Sequence, residues 1–241
     1  MIDLQNNRNL LKEFNEYGYV ILRDILLEEK IILLRDKFLK RYYPLFKDDV
    51  SNNRNILKRY ADDLSVSRFF SDQRLEEVLN ILGVSFPVYS GPICTHYTSK
   101  DSTGSSYKLP LHQDWTSMAS SLNSKIVWFN LCNTSSSTHG IEVATGQHKK
   151  GIFKGVIDDS VYVIENTNNF KLDSLNINFG EVLIMSTFLP HCTKFNQNSN
   201  HWKLSISRRF DDMECLDWLN RNYVNSFRNH VERELFMKYI N

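Results

Sequence analysis

No stretch of this 241-residue chain is both long and apolar enough to cross a bilayer, which takes roughly 20 apolar residues in a row. Its most apolar region, Tyr19 to Leu34, is broken by Arg23, Asp24, Glu28, Glu29 and Lys30. An excess of one charge is missing too: 29 Lys and Arg stand against 28 Asp and Glu, a net charge of +1. Such a balance gives no bulk electrostatic attraction to nucleic acid or to an anionic membrane. The four cysteines, Cys94, Cys132, Cys192 and Cys215, include no Cys-x-x-Cys pair. Neither a disulfide framework nor a zinc finger is expected, only reduced thiols packed as small hydrophobes. The start, MIDLQNNRNLLKEF, lacks the basic head and apolar block of a secretory signal, so a cytoplasmic protein is expected. No internal repeat is present, and the one Ser/Thr-rich loop, Asn133 to Gly140, is too short for a linker.

What the chain does contain is an ordinary globular mix, 41% hydrophobic and 24% charged, with a clear change of texture along its length. The first 83 residues read as mostly helical. Leu10, Leu11, Phe14 and Tyr17 recur at helical spacing and stop at Gly18, and YVILRD follows as a short strand. Leu27 to Tyr42 returns to helix, with Glu28 and Glu29 at its start and Lys40 and Arg41 at its end, as the helix dipole favours. Gln73 to Leu82 is a further helix closed by Gly83.

From about Ser85 to Phe210, β-branched and aromatic runs alternate with polar turn clusters. The runs are SFPVYS, ICTHYTS, KLPLHQDW, KIVWFNL, GIEVA, VYVIE, EVLIMST, HCTKF and WKLSISRRF. Nine short strands at this spacing predict a β-sandwich or barrel. From Asp212, Leu216, Leu219, Tyr223 and Phe227 again recur at helical spacing. The expected organisation is a single domain over residues 1–241: a helical buttress (1–83), a β core (84–210) and a helical tail (211–241).

Among the seven histidines, His112 stands out because His112-Gln113-Asp114 lies in a strand-like run. Residues two apart on a strand project to the same face, so His112 and Asp114 would point together into a barrel. An imidazole from another strand would complete a two-His, one-carboxylate set, the arrangement that leaves iron(II) open positions in non-haem oxygenases. His191, after the apolar run GEVLIMSTFLPH, is the candidate. His96, His139, His148 and His201 lack a carboxylate at strand spacing. His230-Val231-Glu232 falls in a helical stretch, where such neighbours diverge.

These words, in this order, resemble the phytanoyl-CoA dioxygenase family of iron(II)- and 2-oxoglutarate-dependent oxygenases. FNEYGYVILRDILLEEKIILLRDKF resembles its opening helix, strand and helix. LPLHQDW matches its His-x-Asp, GIEVATGQHKKG its turn before the late strands, and GEVLIMSTFLPHCTKFNQ its distal-His strand, with Asn196 five residues beyond the histidine. The resemblance implies a mainly β protein with flanking helices, built on a double-stranded β-helix of the jelly-roll, cupin-like kind. It implies that His112, Asp114 and His191 hold iron(II), and that dioxygen and 2-oxoglutarate are consumed as a small-molecule substrate is oxidised. The usual product is a hydroxylated C–H bond, with succinate and carbon dioxide released. Halogenating relatives carry a small residue where Asp114 stands, so oxidation without halogenation is implied.

The resemblance also implies a cation for the far carboxylate of 2-oxoglutarate. The family's usual arginine is replaced by Lys203, a point charge in place of a bidentate fork. Arg209, on the same strand face, is the other candidate. Thr193 matches a hydroxyl that helps hold that carboxylate, and Trp128 an aromatic packed beside the cosubstrate. In the ATGQH turn, Gly146 and His148 keep the family's turn glycine and its structural imidazole. Two other classes suit the same residues: a zinc-dependent hydrolase or cupin-like enzyme, because His-Asp-His also binds catalytic zinc, and a jelly-roll binding protein without turnover.

Overall fold

The computed structural model describes residues 4–47, 50–101, 108–118, 120–132, 134, 137–158 and 161–216. In chain order these form helix α1 (Leu4–Tyr17), strand β1 (Tyr19–Leu22) and helices α2 (Glu28–Lys37), α3 (Val50–Ala61), α4 (Leu64–Phe69) and α5 (Gln73–Ile81). Strands β2 (Pro87–Tyr89) and β3 (Cys94–Thr98) and the short helix α6 (Trp115–Met118) follow. The remainder is strands: β4 (Lys125–Asn130), β5 (Gly140–Val143), β6 (Gly155–Asp158), β7 (Val161–Ile164), β8 (Asp173–Leu175), β9 (Val182–Ser186), β10 (His191–Lys194) and β11 (Lys203–Asp212).

Among these strands every pairing is antiparallel, and the result is the expected jelly roll. The larger sheet runs β1-β9-β4-β11, with β2 and β3 sharing the other edge of the long β11. The smaller sheet is β10-β5-β8, and β6 and β7 form a hairpin beside it.

Alternation on the large sheet separates two cores. Val127, Phe129, Val182, Ile184, Leu204 and Ile206 face outward and join Phe38, Tyr60, Leu75 and Leu79 of the helical layer. Ile126, Trp128, Leu183 and Met185 face inward, against Ile141, Val143 and Leu175 of the small sheet. Because β4 and β9 are covered on both faces, they read in sequence as unbroken apolar runs. Phe129 links sheet to helices: its ring centroid lies 4.4 Å from that of Phe69 and 5.4 Å from that of Phe70.

The expected helices of the first 83 residues are present, and the second continues through a π-helical turn at Phe38–Tyr42. Gly83, at φ +88°, ends α5 in the left-handed conformation, with Val84 N–H donating to the Leu79 carbonyl. Three readings need correction. KLPLHQDW is not a strand: His112 makes only isolated bridges, and the chain then turns into α6. β6 and β8 are additional strands, unremarked because each is short and one opens on glycine. The last strand continues to Asp212, so the helix expected from Asp212 does not start there; residues 217–241 lie outside the described residues.

His148 has a structural place. Its ring packs beneath Gly18, the residue joining α1 to β1, at φ +85°, and lies 6.4 Å from the Phe14 ring. Gly18→Ala would both strain this backbone and drive a Cβ into the His148 ring. A loss of about 1–3 kcal/mol is expected in urea unfolding, the usual cost of a non-glycine residue held at positive φ.

Candidate metal centre

His112 and His191 lie directly opposite each other. Each donates its backbone N–H to the other's carbonyl at 3.0 Å, and the rings sit 4.3 Å apart. This exchange, and a bridge from His112 to Val163, joins the small sheet to the β6–β7 hairpin through a single residue. Asp114 follows at the turn into α6. Its Oδ1 is 3.2 Å from His112 Nε2 and 3.9 Å from His191 Nε2. One donor atom from each of the three residues lies within 4.8 Å of the others, and all three residues are buried. Convergence on one point is therefore achieved without the strand that the sequence pattern suggests.

The imidazoles are oriented for a cation. His112 Nδ1 lies 2.8 Å from the Pro110 carbonyl and His191 Nδ1 lies 2.9 Å from the Leu189 carbonyl. A carbonyl only accepts, so each Nδ1 donates to it, and Nε2 is the ring atom turned toward Asp114. Burial, with His112 nearby, pushes His191 down to about 4, so that ring is neutral at pH 7. Burial alone would raise the Asp114 carboxyl, but the adjoining Arg209 guanidinium and the imidazoles hold it well below the usual carboxylate range. Two imidazole Nε2 atoms and an ionised carboxylate oxygen thus converge on one point, and this donor set fits a divalent cation.

Gln113, between the two ligands in sequence, points the other way and is fully buried. Its Nε2 donates to the carbonyls of Gly151 and Phe188, at 2.8 and 2.6 Å, and its Oε1 accepts from Phe153 N–H at 2.9 Å. It ties the irregular His112–Asp114 segment to two loops, one before β6 and one between β9 and β10, and no sequence signal short of its position between His112 and Asp114 marks it.

The three residues open on a cavity inside the roll. Strands β4, β5 and β9 contribute Ile126, Trp128, Ile141 and Met185, while β3, β10 and β11 contribute His96, Thr193, Lys203, Ser207 and Arg209. All four cosubstrate candidates named from the sequence therefore line it. The two cations are placed differently. Arg209 Nε donates to Asp114 Oδ2 at 2.6 Å. Lys203 is 4% exposed, its Nζ reaches the Gly140 carbonyl at 3.3 Å, and no described carboxylate pairs with it. Burial pushes it down to about 8. Thr193 Oγ1 accepts from the backbone N–H of Leu109 at 3.2 Å.

His96, set aside in the sequence for want of a carboxylate, is brought in by alternation on β3, with Cys94 and Thr98 on the same face. Burial and the nearby Lys203 and Arg209 push it down to about 3. It stands in register with Ser205, which stands in register with Asn130. The Ser205 hydroxyl and the Asn130 carbonyl oxygen are buried and make no hydrogen bond. Beside Lys203, this row leaves polar atoms to be satisfied by something in the cavity. His139, His148 and His201 take no part in the cavity lining, and His230 lies outside the described residues. A larger groove between α2 and α4, lined by Lys30, Leu33, Lys40, Arg68 and Phe69 among others, holds no comparable cluster.

No protein-family model and no curated protein sequence matches the chain. Solved structures do. The non-haem monooxygenase ThoJ, in a nickel complex, superposes with a TM-score of 0.64 at 13% identity over 85% of this chain and 78% of that one. EctD from S. alaskensis, with 2-oxoglutarate and 5-hydroxyectoine, gives 0.65 at 15% identity over 89% and 77%. The epimerase SnoN, with Fe3+, alpha ketoglutarate and nogalamycin RO, gives 0.63 at 12% identity over 88% and 85%. The chain shares the fold of these non-haem proteins.

Removing the Gln113 side chain should leave two buried carbonyls and one N–H unpaired. Gln113→Ala is expected to destabilise the protein by about 3 kcal/mol, at roughly 1 kcal/mol or more for each lost bond, measured by chemical unfolding.

Proposed function

We propose that this protein is an iron(II)- and 2-oxoglutarate-dependent oxygenase related to the phytanoyl-CoA dioxygenase family, hydroxylating an unactivated C–H bond of a small molecule. The observation that carries the reading is the convergence of two imidazole Nε2 atoms and one carboxylate oxygen at a buried cavity that also holds Lys203, a cation with no described carboxylate partner. His112, Asp114 and His191 would hold the iron, a donor set that suits iron(II) in oxygen chemistry. When bound, iron(II) and 2-oxoglutarate together reduce dioxygen, with succinate and carbon dioxide released and one oxygen atom passing to the substrate.

The chain's own residues supply the rest. Lys203 holds the far carboxylate of the cosubstrate. Among the cations lining the cavity, Lys203 has no acid partner among the described residues, whereas Arg209 is already engaged with Asp114. Thr193 lies beside it on β10 and can turn its hydroxyl to the same group. Trp128 and Met185 wall the cavity and limit water around the reacting centre. The substrate is a small molecule admitted past these walls, in keeping with the nogalamycin RO and 5-hydroxyectoine present in the SnoN and EctD structures.

The direct test adds iron(II) and then 2-oxoglutarate to metal-free protein without oxygen and records the visible spectrum. A weak charge-transfer band requiring both additions is expected, and His191→Ala should abolish it. Tight zinc binding without the band would favour the hydrolase, and no metal binding at all would favour a binding module.

The lysine assignment predicts a pH dependence. Lys203 binds a carboxylate while protonated, so 2-oxoglutarate affinity should fall as pH rises through about 8. Lys203→Met should weaken binding about tenfold or more, the scale of a lost charge-assisted hydrogen bond, and remove the pH step in calorimetric titrations. Loss of affinity in Arg209→Ala but not in Lys203→Met would reverse the assignment.

A further inference from the structure

The three metal-facing residues are not fixed in the same way. His112 and His191 are each held twice, by their mutual backbone exchange and by an Nδ1–carbonyl hydrogen bond. Asp114 has neither support. It sits at the turn into α6, where its carbonyl accepts from Ser117 N–H, and no backbone N–H reaches its carboxylate among the described hydrogen bonds. Its described side-chain partners are the two imidazoles and Arg209.

Arg209 is anchored on an interior strand of the large sheet. It lies on β11 in register with Ile126 of β4, and its carbonyl accepts from Ser90 N–H on the other side. Its Nε donates to Oδ2 of Asp114, at 2.6 Å, while Oδ1 is the oxygen nearest both imidazoles. The Cys94 side chain is a further partner of the guanidinium. Nη1 is steadied by the Ser207 hydroxyl at 3.4 Å. A carboxylate gripped by one oxygen from a fixed direction has one oxygen left to offer.

Resting on the metal-site reading above, we infer that Arg209 is a positioning residue: it fixes the Asp114 carboxylate from the opposite sheet so that Oδ1 alone faces the metal. Three protein donor atoms then bind, and the position a second carboxylate oxygen would occupy stays open. The arginine acts through Asp114. A structural pair that merely tied α6 to the large sheet would affect stability and leave the geometry at the metal unchanged.

Cobalt(II), whose visible bands report ligand number and geometry, is the probe. Wild type, Arg209→Met and Arg209→Lys are titrated with cobalt(II), and the melting temperature of each metal-free protein is recorded. Arg209→Met is expected to bind cobalt about 10–100-fold more weakly, the usual loss when a ligand's hydrogen-bonding support is removed. Its bands should also change in intensity and position as the freed carboxylate rotates. Arg209→Lys should fall between the two, because an ammonium on a flexible stem does not hold Oδ2 from a fixed direction. Wild-type affinity and bands in Arg209→Met overturn the inference, whatever the melting temperature. If that variant does not fold, wild-type affinity and bands in Arg209→Lys overturn it equally. Failure of the wild type itself to bind cobalt would overturn the metal-site reading, a result distinct from either.

Discussion

Everything in the candidate site hangs on one backbone exchange, the pair of hydrogen bonds between His112 and His191. Residues opposite each other in an antiparallel pair project side chains to the same face, so this exchange alone puts two imidazoles side by side. It is not part of a regular ladder on the His112 side. His112 bridges β10 and β7, and the chain on either side of it is held by scattered backbone bonds, Ile164 N–H to the Leu111 carbonyl and Trp115 N–H to the Thr187 carbonyl, and by the Gln113 side chain. A site that must place three atoms within a few ångströms is thereby built partly from loop, with its precision drawn from a buried amide that satisfies three backbone groups.

The large sheet supplies the second constraint. Its alternation sends apolar residues outward to the helices all along β4, β9 and β11, and this fixes which residues face in. On β4 and β9 the inward residues Ile126, Trp128, Leu183 and Met185 are apolar, and only Asn130, at the end of β4, is polar among them. On β3 and β11 they are Cys94, His96 and Thr98, and Lys203, Ser205, Ser207 and Arg209. The cavity consequently has an apolar wall and a polar one, with a cation at each end of the polar wall. Those cations are buried in a medium that disfavours isolated charge. One is neutralised by Asp114. The other is left without a described acid, and the Ser205 hydroxyl, two residues along the same strand face, has no hydrogen-bond partner among the described residues. An anionic ligand has the chemistry to meet such a cation.

Sequence pattern alone determined a good deal. Helical spacing from Leu10 to Tyr17 and the stops at Gly18 and Gly83 mark helix ends, because glycine is the residue that accepts the left-handed turn there. Period-two alternation and doubly apolar runs mark most of the strands, and hence a β core under helices. His-x-Asp and a distant histidine after an apolar run name the three converging residues. All of these are local signals, set by the geometry of one helix or one strand. Tertiary structure decided the rest. His112 proved to sit on a bridge, because what pairs with it comes from segments far along the chain. His96 entered the cavity only because β3 lies against β11 in one register. Lys203 and Arg209 share a face of one strand and are indistinguishable by alternation; the approach of Asp114 from the turn into α6 engages one and leaves the other without a described acid. Which charge meets which is a property of how the sheets close on each other, and no local periodicity encodes it.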